Sequence, residues 1–124
     1  MKNPLNVLVI EDDPWFAEQH LRVLREAGFT VRMAADGITA IEELDNNAPD
    51  AIILDIFLPG PNAFVLLHEI QSYVDLAKIP VIICSGSALD IPKRELAILG
   101  VREVLDKATM RPDEVAIAIK RALL

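Results

Sequence analysis

The stretch Val7-Leu8-Val9-Ile10-Glu11-Asp12-Asp13-Pro14 sets four apolar residues directly against three carboxylates and a proline. A run apolar at every position suits a strand covered on both faces, and such strands belong to parallel sheets. Four further runs follow, at Thr30–Ala34, Ala51–Leu54, Val81–Cys84 and Glu103–Leu105. Segments with helical spacing lie between them. The first carries Ala17, Leu21 and Leu24 on one face, with Gly28 just past its end as a C-cap candidate. The others carry Ile41 and Leu44, Leu67 and Ile70, Leu96 and Leu99, and finally Val115, Ile119 and Ala122.

Strands alternating with helices through short connections imply parallel pairing and right-handed crossovers. The expected fold is α/β, doubly wound, with an open five-stranded parallel sheet and five helices. Runs one, three and four are apolar throughout and belong inside the sheet. The alternating TVRMA and the short EVL suit the second and fifth strands to its edges. No linker, repeat or low-complexity stretch interrupts the pattern, so residues 1–124 read as one domain.

Composition narrows the function. Twelve basic against nineteen acidic residues give a net charge of −7, which argues against direct contact with a nucleic-acid backbone. The apolar runs are too short to span a bilayer, and the N-terminus lacks the features of a signal peptide. The single cysteine, Cys84, excludes an internal disulfide and sits in an apolar run as a small hydrophobe would. A cytoplasmic location fits these features.

Parallel strands bring their carboxyl ends to one rim, where ligands of such sheets bind. The first strand ends in Glu11, Asp12 and Asp13, the third in Asp55 and the fourth in Ser85-Gly86, with Lys107 beyond the fifth. Asp13 suits an N-cap, because Pro14 then falls at the first helical position. One helix end needs one cap, so Glu11, Asp12 and Asp55 require another account. At ~4 Å two like charges repel by ~4 kcal/mol at an effective dielectric of 20. Lys107 supplies one compensating charge, and a divalent ion would supply the rest. Carboxylates without His or thiolate ligands favour magnesium or manganese. Asp55 is then placed to act as a nucleophile toward phosphorus, with Ser85 and Lys107 beside it.

With these residues the chain resembles a response-regulator receiver domain, the phosphoacceptor module of two-component phosphorelay signalling. The likeness covers essentially the whole chain. It rests on strand-E-D-D-P at 11–14, L-D-x-x-L-P-G at 54–60, a strand ending in a hydroxyl plus a small residue at Ser85-Gly86, and the distant Lys107. The resemblance implies strand order 2-1-3-4-5, the flavodoxin-like arrangement of chemotaxis response regulators. It makes Asp55 the phosphorylation site. Glu11, Asp12, Asp55 and the backbone carbonyl of Phe57 become the Mg2+ (or Mn2+) ligands, and Ser85 and Lys107 become contacts of the phosphoryl group. A sensor histidine kinase or phosphotransfer protein would be the donor and a downstream effector the recipient of the signal. The domain would catalyse only its own phosphotransfer and dephosphorylation.

The chain departs from the family's usual pattern at four places. Ser85 replaces threonine, Asn62-Ala63 replaces aspartate-glycine, Ala108 follows the lysine where proline is usual, and Val104 replaces an aromatic residue. A stiff, β-branched valine cannot swing inward as the aromatic does. The response to phosphorylation is therefore expected in the loop from Gly86 through Asp90. Phe57 is expected to shield the acyl phosphate from water. Ile117, off the apolar stripe of the last helix, forms with Leu124 a candidate partner surface or phosphorylation-dependent homodimer surface. A receiver that binds partners without phosphorylation is the alternative. An aspartyl phosphatase would need an acid at position 57, and a flavin domain would need hydroxyl and glycine donors where three acids stand.

Overall fold

The computed structural model describes residues 4–56, 62–86 and 92–123. Phe57, the loop positions 87–90 and Leu124 lie outside these residues, and with them the expectations placed there. The five strands are β1 (Asn6–Ile10), β2 (Thr30–Ala34), β3 (Ala51–Asp55), β4 (Val81–Ser85) and β5 (Val101–Asp106). They alternate with α1 (Pro14–Glu26), α2 (Gly37–Asn46), α3 (Ala63–Gln71), α4 (Lys93–Ile98) and α5 (Glu114–Ala122). All pairings are parallel, and the sheet order is β2-β1-β3-β4-β5, the flavodoxin-like arrangement.

Alternation along the inner strands divides the core in two. Leu8, Ile10, Ile52, Leu54, Val81 and Ile83 face α2, α3 and α4. Val7, Val9, Ala51, Ile53, Ile82 and Cys84 face α1 and α5. This double coverage is why β1 is apolar from Val7 to Ile10, and why β3 and β4 carry no acid or hydroxyl until their last positions, Asp55 and Ser85. No helix among the described residues is long and apolar enough to cross a membrane.

Helix starts follow the chemistry of their caps. Asp13 accepts the Trp15 N–H at 2.9 Å, with Pro14 at the first helical position. Asp36 accepts from Thr39 at 2.7 Å, and Asn62 accepts from Val65 at 3.0 Å. Asn62 thus serves as a cap in the place where the family usually has aspartate. At the end of α1, Gly28 adopts φ +97°. The N–H of Gly28 then reaches the Arg25 carbonyl, and that of Phe29 reaches the Leu24 carbonyl, each at 3.0 Å.

Two expectations need correction. The fifth strand is not a short Glu103–Leu105 segment but a six-residue strand, Val101–Asp106. A register shift against β4 pairs Val81 with Val101 but Ile82 with Glu103. Arg102 is therefore passed over, and Val101 and Leu105 face different halves of the core. That irregularity hides the strand's alternation from the sequence. On α1 the buried positions are Ala17, His20 and Leu24, whereas Leu21 is half-buried.

His20 is buried completely, and neither ring nitrogen has a hydrogen-bond partner among the described residues. Burial, assisted by the Lys107 charge, lowers its pKa from 6.5 to about 4. Its stabilising contribution is present above the unfolded value and is lost as pH falls from about 6.5 toward 4. Replacing His20 with Leu should remove about 2 kcal/mol of the stability difference between pH 7 and pH 5 relative to the parent. Urea unfolding at the two pH values checks this; parallel pH profiles would mean that the imidazole is not held neutral.

Candidate functional site

The register places the site. Ile10 pairs with Leu54, Asp55 with Cys84, and Ser85 with Asp106, so β1, β3, β4 and β5 end at one level. Glu11 directly follows β1, Asp55 closes β3, Ser85 closes β4 and Lys107 directly follows β5. The backbone N–H of Glu11 donates to the Ala34 carbonyl at 3.0 Å, which fixes the turn out of β1 against β2. The N–H of Asp13 donates to Glu11 Oε2 at 3.2 Å and steers that carboxylate inward.

Glu11, Asp55 and Ser85 are buried at 3%, 4% and 1% exposure, whereas Asp12 faces solvent. One oxygen from each of Glu11, Asp12 and Asp55 lies within 4.8 Å of the others, a spacing that a single hard cation could bridge. Lys107 Nζ stands 2.5 Å from Glu11 Oε1 and 3.6 Å from Asp55 Oδ2. Oε1 is buried yet makes no well-aligned hydrogen bond among the described residues, so its tie to Lys107 is a contact ion pair. The donor set therefore fits a divalent ion: all oxygen, two acids buried, and one oxygen with acceptor capacity to spare.

The cluster sets its own charge state. Burial pushes the Glu11 carboxyl up to about 7; Lys107 works against this and neighbouring Asp55 adds to it. Burial alone would lower Lys107, but the contact with Glu11 and the charges of Glu11 and Asp55 hold its pKa above the ordinary value. Cys84 lies beneath this rim, fully buried, and burial pushes its thiol up to about 12. It packs as a small apolar residue, as its place in the sequence suggests.

The position of Lys107 does not depend on a following proline. Its N–H donates to the Ser85 carbonyl at 2.9 Å, and the Ala108 N–H donates to Asp106 Oδ1 at 2.8 Å. Met110 closes the turn onto the Asp106 carbonyl at 2.8 Å. No cis peptide occurs among the described residues. Nothing in the sequence pattern singles out Phe16, yet Lys107 Nζ lies 4.4 Å from the centre of its ring. The available signal is one of spacing: an aromatic one helical turn beyond Asp12, on a helix that starts at the rim.

If Lys107 is what makes two buried carboxylates tolerable, Lys107→Met should destabilise the magnesium-free protein by about 3 kcal/mol at pH 8. The raised Glu11 pKa means that the folded acid is most costly above about 7 and nearly neutral well below it. The deficit should therefore shrink at pH 6. Urea denaturation in the presence of a chelator checks both statements, and a deficit independent of pH would contradict them.

The family model described as "Response regulator receiver domain" matches residues 7–120. Among curated proteins, the chain is 30% identical over 121 residues to the transcriptional regulatory protein CseB of Streptomyces coelicolor, covering 98% of this chain and 49% of that one. It is 32% identical over 117 residues to a gliding motility regulatory protein of Myxococcus xanthus, covering 94% and 15% respectively. The chain thus spans less than half the length of these relatives. Among solved structures, the receiver domain of a sensor histidine kinase from Pseudomonas aeruginosa aligns with TM-score 0.84 and 25% identity over 98% of both chains. That structure has a magnesium ion coordinated in its active-site cleft. The chemotaxis protein CheY4 of Vibrio cholerae shares the fold, with TM-score 0.87 and 22% identity over 98% of this chain and 100% of that one. With its acids, hydroxyl and lysine gathered at one rim of the doubly wound sheet, the chain belongs to the response regulator receiver domain family.

Proposed function

We propose that this domain is a phosphorylation-controlled switch in which Asp55 accepts a phosphoryl group from the phosphohistidine of a histidine kinase or phosphotransfer protein. The observation that carries the reading is the convergence of Glu11, Asp12 and Asp55 within 4.8 Å, with Lys107 reaching two of the three. An Asp55 carboxylate oxygen attacks phosphorus as the P–N bond to the donor imidazole breaks. The bonding pair stays on the leaving nitrogen, which takes up a proton. Lys107 meets one phosphoryl oxygen through its ammonium, and Ser85 donates its hydroxyl to another. Ser85 closes β4, and Lys107 directly follows β5 and is bonded to Ser85 through the backbone, so little reorganisation is needed at the moment of transfer.

Glu11, Asp12 and Asp55 would hold Mg2+ (or Mn2+), with the Phe57 carbonyl, outside the described residues, as a further ligand. When bound, such an ion screens the carboxylates from one another and from the incoming phosphoryl charge. The magnesium in the structurally similar Pseudomonas receiver domain supports this assignment. We read the 124 residues as one cytoplasmic receiver domain whose output is a contact with another protein. The exposed Ile117 is the described part of the candidate partner or homodimer surface.

Incubation with acetyl phosphate and magnesium should add one phosphoryl group by intact mass. The gain should vanish in Asp55→Asn and in the presence of a chelator; labelling that persists in Asp55→Asn would place the reaction elsewhere. Magnesium alone should raise the melting temperature, because it binds the folded site and not the unfolded chain. Its affinity should fall as pH drops through about 7, since Glu11 must lose its proton to become a ligand. In Glu11→Gln that pH dependence should flatten, as read by calorimetry or by fluorescence of the nearby, exposed Trp15.

A further inference from the structure

The phosphoryl-transfer reading requires Lys107 to change partners. At rest its ammonium is spent on Glu11, at 2.5 Å, and Asp55, at 3.6 Å. Both acids belong to the proposed ion-binding set, and a cation bound there competes with Lys107 for the same carboxylates. The lysine must then stay over the pocket with its carboxylate anchors weakened, on a flexible four-carbon stem. Its backbone is fixed through Ser85 and the Asp106 turn, but hydrogen bonds to the backbone do not fix the ammonium.

One further group touches it. Lys107 Nζ lies over the Phe16 ring, 4.4 Å from its centre, well inside the range of a cation–π contact. The ring is itself held. Trp15 meets it edge-on, with centroids 4.9 Å apart and planes at 90°. The buried His20, one turn further along α1, lies 6.2 Å away at a 34° tilt. Phe16 is half-buried, and the Lys107 side chain is only 11% exposed, so water screens the contact poorly. An aromatic face attracts a cation yet offers no ligand to a hard metal ion, so this contact does not compete for the carboxylates. It is a partner that Lys107 can keep through every state of the site.

We propose that Phe16 is a positioning residue: its ring face holds the Lys107 ammonium over the phosphorylation pocket when Glu11 and Asp55 are taken up by other ligands. This rests on the reading of Asp55 as phosphoacceptor and of Lys107 as its phosphoryl contact. It also assigns the work of directing the lysine to α1, in a chain whose lysine is followed by Ala108.

The test separates ring charge distribution from ring volume. Phenylalanine at position 16 is replaced by mono-, di-, tri- and pentafluorophenylalanine, which progressively remove the negative ring face at nearly constant shape, and by Leu and Tyr. Phosphorylation of Asp55 by acetyl phosphate at saturating magnesium should slow stepwise with fluorination, reaching about five- to tenfold for the pentafluoro ring and for Leu. Tyr should restore the parent rate to within about twofold, and magnesium affinity should stay within the same margin throughout. Combining Phe16→Leu with Lys107→Met should cost no more than Lys107→Met alone. A parent rate across the fluorinated series, or slowing in Leu only, would make the ring mere packing and overturn the proposal; additive losses in the double variant would do the same. A second readout needs no phosphorylation. The Lys107 Cε methylene protons should resonate upfield from the ring current, in the magnesium-bound protein as well as the free one. That shift should disappear in Phe16→Leu. If the parent takes up no phosphoryl group, the phosphoacceptor reading fails, whereas the ring contact stands or falls on this shift. Its absence from the magnesium-bound protein would refute the role assigned to Phe16.

Discussion

Glu11 and Asp55 are carboxylates buried side by side at the ends of adjacent strands, and one ammonium keeps them there. Two like charges at such a spacing would ordinarily drive a strand end apart or draw in water. Here the parallel register of β1 and β3 leaves no freedom to separate, because Val7 through Ile10 are paired on both sides and packed on both faces. The cost appears in the charge states: burial first, and the Asp55 charge after it, raises the Glu11 carboxyl to about 7, and the two acids hold the Lys107 pKa above its ordinary value. A site in this condition gains from any ligand that brings positive charge.

The same economy governs the lysine. Lys107 has to reach the pocket from the far side of the sheet, across β4, and three features bring it there. Its N–H is bonded to the last residue of β4, the Asp106 side chain closes the turn behind it, and Phe16 lies under its head group. The departures from the usual family pattern at Asn62 and Ala108 are each matched by local structure. Asn62 caps α3 with its side chain, and the Asp106 turn holds the segment after Lys107. Val104 is partly exposed on β5, and no compensation for the missing aromatic is found among the described residues.

Asp12 differs from its two partners in being exposed. That asymmetry suits the proposed ion site, where a hard cation would keep some of its waters on the open side. It also explains why α1 begins where it does. Asp13 caps the helix and Pro14 opens it, so the chain turns away from the rim one residue after the last acid. The first turn of α1 then carries Phe16 back to the Lys107 ammonium.

Much of this molecule is written locally. Runs of apolar residues mark the covered strands, because a strand packed on both faces can hold no polar side chain until it reaches the rim. The acids that follow those runs, and the Asp13-Pro14 cap, follow from the same reasoning about strand ends and unpaired helix N–H groups. The gathering of Glu11, Asp55, Ser85 and Lys107 at one rim follows once the strands are parallel, whereas the order of the strands is implied only by the family resemblance. Other features exist only through space. The length of β5 is concealed by the passed-over Arg102, since the irregularity breaks the period-two pattern that identifies a strand. The choice of His20 over Leu21 for full burial depends on how α1 is rotated against the sheet, which helical spacing leaves open by one position. The contact of Phe16 with Lys107 joins the first helix to the end of the last strand. Neither residue carries a local sign of the other, because an attraction between a cation and a ring face depends on distance in the folded chain and on nothing in the order of the residues.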